Sequence, residues 1–444
     1  MDERLTGRTV ELLRAMIRNQ CVNEGTPESG EEYRNAQLLA GFLDGTDIEV
    51  QTFEAAPGRM NLLARIPGRD PDAPSLCFNG HTDVVPVNPE GWTHDPFGGE
   101  LIDGEVWGRG AVDMLNLTSS MAVVMRDLVA TGFRPSGDLL FLAVADEESG
   151  SKHGARWMAE NYPELITTDY VITENGGLHG GSAAEPTVGA RVGEKGVAWR
   201  RLTVRGTPGH GSKPFKADNA VIKAAAVVQR LAEYAAAAVF HEHWEGEVRE
   251  MRFTDEQKAQ LLDPGAIDEL LAELPAGQAG AIHACTHTTF STNVFTSQTK
   301  TNVIPDKVVI DVDIRTVRGD GPDEVRSHLE AALGELAADV EIEPLMNDVA
   351  SFSPIKTPLW DSMQRAVGKA FPDARLHAGV TVGFTDARVH RDLGAVAYGG
   401  GLLSPNLSAA DFGARFHGND ERIDIESIGL TTQFYRDVVT DLLG

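Results

Sequence analysis

Three short apolar runs, each ending in a histidine or an acidic residue, constrain the fold of this chain most strongly. The runs are residues 75–79, 138–145 and 170–173, and their length and composition are typical of buried strands. They are followed by His81, by the acidic triplet at 146–148 and by Glu174. Because open α/β sheets bind ligands beyond the carboxyl ends of their parallel strands, these polar groups predict one shared site.

Helical patterns alternate with the strands and define the fold class. Helix-period apolar spacing occurs at residues 5–20, 31–44, 117–131, 153–160, 357–371 and 424–442. Strands that alternate with helices predict an α/β domain on a mainly parallel sheet. Residues 194–350 instead show a βαββαβ order, with a helix-rich acidic segment at 239–285, and predict an inserted α+β domain. The predicted catalytic domain therefore has two parts, residues 1–193 and 351–444.

Charge and cysteine content exclude several classes of function. The 444 residues include 66 acidic and 39 basic side chains, a net charge of −27, which argues against nucleic acid or an anionic membrane as partner. The three cysteines lie far apart and predict neither a disulfide framework nor a thiolate zinc site. The first residues have no apolar segment of the kind found in export signals, and no apolar run of about 18 residues occurs, so we expect a cytoplasmic protein.

Two histidines and four carboxylates are the candidate residues of a metal site, in which one of two adjacent glutamates need not bind metal. They are His81, Asp113, Glu147, Glu148, Glu174 and His417. Histidine and carboxylate without cysteine suit Zn²⁺ or a similar divalent ion. Five such ligands are enough for two ions about 3.5–4 Å apart that share one carboxylate, an arrangement that catalyses hydrolysis. Within the pair Glu147–Glu148, one side chain can bind metal while the other acts as a general base, and Asp83 can accept the second N–H of His81.

Six motifs in order resemble a known family across nearly the whole chain. They are His81–Asp83, Gly108–Met114, Asp146–Gly150, Glu174, Gly209–Gly211 and His417. Together they resemble the co-catalytic zinc aminoacylase/carboxypeptidase family, which includes acetylornithine deacetylase, succinyl-diaminopimelate desuccinylase, glutamate carboxypeptidase and carboxypeptidase S-like metallopeptidases. The resemblance implies a phosphorylase/hydrolase-like catalytic domain with an inserted lid.

The same resemblance implies roles for the residues of the catalytic domain. By matching position, Asp113 bridges two divalent ions, with Zn²⁺ as the first choice and Co²⁺ or Mn²⁺ as alternatives. Glu148 and His417 complete one metal position, while His81 and Glu174 complete the other. Glu147 then matches the general base of the family.

The resemblance also implies roles for the inserted domain, which in this family is the lid and the dimerisation domain. It implies a homodimer in which His210 reaches the partner's active site and stabilises the oxyanion. Asn302 and Arg315 of this domain match residues that contact the substrate, and a guanidinium at position 315 suits bidentate binding of a carboxylate. Gly383, in the second part of the predicted catalytic domain, matches the glycine-rich substrate loop of the family.

One departure from the family pattern leaves the substrate open. Leu115–Asn116 follows Asp113–Met114 where the family commonly has Lys–Gly, which changes the shape and charge expected of the pocket. We predict hydrolysis of an amide bond in an N-acyl amino acid or in a short peptide with a free carboxylate. Two alternatives remain at this point: a hydrolytic deaminase or other C–N hydrolase of a small aromatic or carbamoyl substrate, and a non-catalytic binding member of the family.

Overall fold

The described residues form two compact units. A computed structural model describes residues 2–297 and 300–444. The first unit comprises Met1–Val192, Ser353–Gly379 and Thr385–Gly444, and the second comprises Gly193–Phe352 and Val380–Phe384. The short segment Val380–Phe384, assigned by our domain prediction to the catalytic part, therefore belongs to the second unit. Within that unit the N–H of Lys195 donates to the carbonyl of Thr381, and the N–H of Val380 donates to Glu247.

The helices are numbered in chain order. Helices α1 to α15 span Glu3–Arg18, Tyr33–Leu43, Leu115–Ala130, Ala155–Asn161, Pro163–Ile166, Ala220–Glu233, Trp244–Glu250, Asp255–Leu261, Ile267–Glu273, Ala276–Thr286, Pro322–Leu333, Pro358–Ala370, Ala387–Asp392, Ala409–Arg415 and Ile425–Leu442. Short 3₁₀ turns occur at Pro89–Gly91, Glu147–Ser149 and Gly334–Asp339.

The strands are numbered in the same way. Strands β1 to β20 span Glu49–Ala56, Arg59–Ile66, Leu76–His81, Glu100–Ile102, Glu105–Trp107, Leu139–Val144, Tyr170–Thr173, His179–Gly181, Pro186–Glu194, Gly196–Val197, Arg200–Arg205, Gly209–His210, Thr289–Thr296, Val303–Ile304, Lys307–Thr316, Val340–Pro344, Ser351–Phe352, Arg375–Thr381, Val396–Gly399 and Arg422–Asp424.

A twisted sheet with a parallel centre organises the first unit. Its strand order is β1-β2-β6-β3-β7-β19-β9, and β8 and β18 also pair with β9. The pairs β6/β3, β3/β7 and β7/β19 are parallel, whereas β1/β2, β2/β6 and β19/β9 are antiparallel. The prediction of an α/β fold with a mainly parallel central sheet is thus confirmed, and the parallel strands are the ones that carry the predicted site at their ends.

The continuous apolar character of the central strands has a simple cause, because both faces of the sheet are covered. Along β6, Leu139, Phe141 and Ala143 face one apolar cluster, and the alternate residues Leu140 and Leu142 face another. The first cluster contains residues of α1, α3, α12 and α15, and the second contains residues of α4 and α13. Rigid strands covered on both faces hold whatever side chains follow them.

The second unit is built on an antiparallel sheet. Its order is β10-β15-β11-β16, and β13 also pairs with β15. Helices α6 and α11 cover one face through a core that includes Leu202, Val227, Ile310 and Leu329. Helices α7 to α10 form a separate apolar cluster around Trp244. In the part of the chain that the structure describes, no helix is both long enough and apolar enough to cross a membrane.

Candidate metal centre

Three parallel strands deliver the predicted ligands to one edge of the sheet. Strand β3 lies between β6 and β7, with Leu76 opposite both Leu139 and Tyr170. His81 is the last residue of β3, Glu174 follows β7 directly, and the turn that contains Glu147 follows β6. Neighbouring parallel strands end side by side, so the geometry of the sheet brings these groups together.

His81 is held in one orientation by its two ring nitrogens. It is 1 % exposed, its Nδ1 lies 2.9 Å from the backbone oxygen of Asp83, and its Nε2 lies 3.1 Å from Oδ1 of Asp113. A carbonyl oxygen only accepts, so Nδ1 carries a proton, and Nε2 is the ring nitrogen directed at Asp113. The ring is therefore oriented as a metal ligand requires.

Asp113 occupies the middle of the cluster. It lies in the turn between β5 and α3, and this turn uses Gly110 at φ +90°, where an added Cβ would lie 2.6 Å from the side chain of Leu115. Its Oδ2 lies 2.9 Å from Nε2 of His417, while Oδ1 faces His81. One carboxylate thus reaches both histidines, which is the geometry required of a bridging ligand.

Two groups of three ligand atoms share this carboxylate. One group is His81, Asp113 and Glu174, and the other is Asp113, Glu148 and His417, each with its ligand atoms within 4.8 Å of one another. Nε2 of His417 is 3.3 Å from Oε2 of Glu148. The structure therefore brings together all five residues that the sequence singled out as ligands.

The electrostatics of the cluster favour a bound cation. Burial, reinforced by the charge of Asp113, raises the pKa of Glu174 well above its usual value and that of Glu148 to about 7. Burial alone would lower the pKa of His417, but hydrogen bonds to Asp113 and Glu148 raise it to about 10. Oε1 of Glu148 is buried and has no hydrogen-bond partner among the described residues. Divalent cations supply the positive charge that these crowded carboxylates lack, so the donor set fits two such ions.

Glu147 lies beside the ligands and belongs to neither group of three. It is 5 % exposed, and within the described ranges its Oε1 has no hydrogen-bond partner. Burial raises its pKa well above the usual value, the positive charge of His81 opposes this, and the negative charge of Asp386 adds to it. A buried carboxylate with a raised pKa and a free oxygen is suited to accept and return a proton.

The carboxylate of Asp83 has a different principal role from the one we predicted. The close contact of His81 Nδ1 is to the backbone oxygen of Asp83, and the carboxylate Oδ1 is farther away, at 3.5 Å. Its two oxygens instead accept the N–H groups of Glu147 and Glu148, each at 3.2 Å. A carboxylate satisfies backbone donors that a tight turn leaves exposed, so Asp83 shapes the turn that carries both glutamates.

Sequence reasoning missed a buried polar network behind this turn. Arg59 forms two 2.7 Å hydrogen bonds with Glu32 and one of 2.9 Å with Asp146. Asp146 has φ +64°, a left-handed conformation unfavourable for a residue other than glycine, and Asn23 bridges it to Asp83. The only local signal was the acidic triplet itself, because the partners come from distant parts of the chain.

Two of the predicted residues of the second unit lie together. Strand β12 pairs with β14, which places His210 opposite Val303, and the N–H of Gly211 donates to the carbonyl of Asn302. His210 and Asn302 are exposed. Ser212 Oγ lies 2.8 Å from Nδ1 of His210, and Nε2 has no hydrogen-bond partner among the described residues.

Arg315 and Gly383 are the other two predicted substrate-binding residues of the second unit. Nε and Nη2 of Arg315 bind the carboxylate of Asp313 at 2.7 and 3.1 Å, so the Nε–Nη2 edge of the guanidinium is engaged. Nη1 is buried without a hydrogen-bond partner in the described part of the chain, and the guanidinium lies 5.5 Å from the ring of Phe384. A Cβ added to Gly383 would meet only Oγ1 of Thr381, at 3.7 Å, so packing does not require glycine there.

Comparison with known proteins defines the class. The sequence model of Peptidase family M20/M25/M40 matches residues 77–441, and the chain belongs to this family. It is therefore a hydrolase of the metallopeptidase type, as the motif order predicted, and the alternative of a non-catalytic binding protein is not supported.

Similar sequences and solved structures match most or all of the length of this chain. A succinyl-diaminopimelate desuccinylase of Cereibacter sphaeroides is 29% identical over 395 residues, which cover 86% of this chain and 87% of the relative. The N-fatty-acyl-amino acid synthase/hydrolase PM20D1 of Xenopus tropicalis is 26% identical over 98% of this chain and 86% of its own. The M20 family metallo-carboxypeptidase Sso-CP2 of Sulfolobus solfataricus shares the fold with a TM-score of 0.73, 18% identity and coverage of 100% and 99% of the two chains.

Proposed function

We propose that this protein is a two-metal hydrolase of amide bonds in N-acyl amino acids or short peptides that carry a free carboxylate. The observation that carries the proposal is the pair of ligand triplets that share Asp113. Beside them, Oε1 of Glu147 has no hydrogen-bond partner among the described residues. His81 and Glu174 would hold one ion, Glu148 and His417 the other, and Zn²⁺ is the metal we propose, since its preferred ligands are those present. When bound, two such ions supply Lewis-acid chemistry and acidify a water molecule.

Glu147 has the proton-transfer role in this mechanism. Its carboxylate takes a proton from the attacking water and delivers it to the nitrogen of the amine that leaves, so the same group acts first as base and then as acid. The raised pKa of Glu147 favours the second step, because a more basic carboxylate stays protonated until the proton is transferred to the leaving nitrogen. Asp83 supports both steps by holding the backbone of the turn from which Glu147 projects.

The substrate class rests on the relatives and on the second unit. Desuccinylases, carboxypeptidases and dipeptidases all appear among the similar proteins. Each of these names denotes an enzyme that cleaves an amide bond close to a carboxylate. In this chain we propose that Nη1 of Arg315, Asn302 and the backbone at Gly383 contact the substrate. A panel of N-acyl amino acids and dipeptides, assayed with added Zn²⁺, Co²⁺ or Mn²⁺, tests the proposal, and the absence of hydrolysis with two ions bound would contradict it.

Chelation should inactivate the enzyme reversibly. We expect removal of metal to abolish hydrolysis and to lower Tm, because ions that bind only the folded state stabilise it by mass action. Adding back two equivalents of Zn²⁺ or Co²⁺ should restore both properties, which activity and thermal melting of the same sample would measure. Retention of full activity by protein shown to be metal-free would contradict the mechanism.

We further propose a homodimer formed through the second unit, with His210 acting in the active site of the partner copy. His210→Ala and Glu147→Gln proteins should each be inactive alone. After subunit exchange they should regain about a quarter of wild-type activity, since half of the dimers are mixed and each has one complete site. Activity measured before and after mixing provides the test, and two Glu147→Gln preparations mixed together are the control. If mixing restores nothing although exchange has occurred, His210 does not act in the partner's site.

A further inference from the structure

The two metal positions differ in how their ligands are anchored. His81 ends a strand that is hydrogen-bonded on both sides, and Glu174 directly follows β7, another central strand. His417 lies instead between α14 and β20, has φ +55°, and its side chain is 44 % exposed. Secondary structure holds the first two ligands, whereas a left-handed loop residue needs a separate restraint to keep its imidazole in place.

A buried ion pair supplies that restraint. Nη1 of Arg109 lies 2.6 Å from Oε2 of Glu421, and the two side chains are 3 % and 0 % exposed. Nη2 of Arg109 donates to the carbonyl oxygens of His417 and Pro86, each at 3.3 Å. The guanidinium therefore contacts the backbone of the ligand residue His417 itself.

Glu421, the other member of the ion pair, holds the bridging ligand Asp113 through its backbone as well. Oε1 of Glu421 accepts the N–H of Val112 at 2.7 Å and the N–H of Asp113 at 3.1 Å. Antiparallel pairing of β5 with β20 brings these distant residues into contact, and the N–H of Gly108 extends the pairing to the carbonyl of Glu421 at 2.9 Å. One ion pair thus spans the turn that carries Asp113 and the loop that carries His417.

A second set of contacts holds the same loop from the other side. The N–H and the hydroxyl of Thr93 donate to the two carboxylate oxygens of Asp420 at 2.7 and 2.8 Å. The ring of Trp92 lies 5.4 Å from the guanidinium of Arg109. Residues 92–93 therefore confine both Arg109 and the loop, which limits the ways in which this assembly can rearrange.

We propose that Arg109 and Glu421 are positioning residues that set the geometry, and so the affinity, of the metal position formed by Asp113, Glu148 and His417. The inference rests on the proposed function, because it concerns ions bound by those ligands. Neither residue touches the reacting atoms, and both act through the backbone of ligands. The position formed by His81 and Glu174 shares only Asp113 with this assembly, and its other two ligands are held by strands, so it should depend on the ion pair much less.

The test is a metal titration of Arg109→Lys. Lysine keeps the charge but loses the planar fork that reaches Glu421 and the His417 carbonyl at once. Metal-free wild type and variant are titrated with Co²⁺, followed by visible absorption and by competition with a chelator. We expect wild type to bind two equivalents. In the variant, one equivalent should keep its affinity and the other should be weakened about ten- to a hundredfold, the effect typical of losing a partner behind a metal ligand.

Two comparisons separate positioning from general destabilisation. Arg436, on α15, binds the buried carboxylate of Asp127. Arg436→Lys removes this guanidinium and should lower Tm without changing the affinity for either metal equivalent. His417→Ala should lower the affinity for the same metal equivalent as Arg109→Lys does. The double variant Arg109→Lys/His417→Ala should bind that equivalent no more weakly than His417→Ala alone. Glu421→Gln, which keeps an oxygen for the two N–H groups but loses the charge, should weaken that equivalent as well.

Opposite results overturn the inference at different levels. Three results would each overturn the positioning role alone. The first is an unchanged metal affinity in both Arg109→Lys and Glu421→Gln, and the second is an equal loss of affinity for both equivalents. The third is a weaker affinity in the Arg109→Lys/His417→Ala double variant than in His417→Ala. A wild-type protein that binds fewer than two ions would overturn the proposed function, and this inference with it.

Discussion

Replacing Glu147 with Gln should leave two metal ions bound and lower kcat by about a hundredfold to ten-thousandfold, the range that general acid–base catalysis contributes. Glutamine has the same shape, so the turn held by Asp83 should survive, and Glu147 belongs to neither ligand triplet. An amide cannot accept the proton of the attacking water, which is the physical reason for the loss. Steady-state kinetics together with metal analysis of the same preparation provide the measurement.

Glu148→Gln is the matched control for this experiment. The two glutamates are adjacent in one 3₁₀ turn, but Glu148 belongs to a triplet, so its substitution should reduce metal content as well as activity. Excess Zn²⁺ should partly rescue Glu148→Gln and should not rescue Glu147→Gln. A Glu147→Gln protein with wild-type kcat would remove Glu147 from the mechanism.

Replacing Asp113 with Ala should abolish binding of both ions, whereas His81→Ala or His417→Ala should weaken one ion each. The difference follows from geometry, because Oδ1 of Asp113 faces His81 and Oδ2 faces His417, so both triplets lose a member at once. We expect an affinity loss above a hundredfold for both equivalents. Equilibrium dialysis followed by metal analysis would measure it.

Asp127→Asn controls for loss of a buried acidic group. Asp127 is 1 % exposed on α3, and its carboxylate binds Arg4 and Arg436 rather than any ligand residue. This variant should bind two ions with unchanged affinity although it is less stable. If Asp113→Ala keeps one tightly bound ion while it folds as wild type does, the two positions do not share this carboxylate.

Local patterns were sufficient to predict the strands that carry the site and less informative for strands β9 and β18. The runs before His81 and Glu147 are continuous and apolar, because both faces of β3 and β6 are covered. Strands β9 and β18 were not predicted, although Val188, Ala190 and Val192 alternate along β9 and are buried. Gly189 and Arg191 fill the positions between them, and so short an alternating run is a weaker strand signal than the continuous apolar runs of β3 and β6.

Contacts between distant residues set the limit of sequence reasoning at the site. Arg109 and Glu421 are separated by 312 positions, and Arg59 and Asp146 by 87, so no local pattern joins either pair. Asp83 was predicted to orient His81 by its carboxylate, yet the backbone oxygen makes that contact, and the carboxylate holds the turn after β6. A carboxylate binds the nearest unsatisfied donors, and only the folded chain determines which donors those are.

The sequence by itself determined the fold class, the family and the residue types of the site, because each is written in short-range order: apolar runs, the polar groups that follow them and the succession of motifs. The tertiary structure alone decided how these groups are shared and oriented. It placed one carboxylate between two histidines and directed Nε and Nη2 of Arg315 to Asp313. It also left Oε1 of Glu147 without a hydrogen-bond partner among the residues that the structure describes. Such pairings depend on distances and directions between segments, which the chain acquires only when the sheet and its connecting turns have formed.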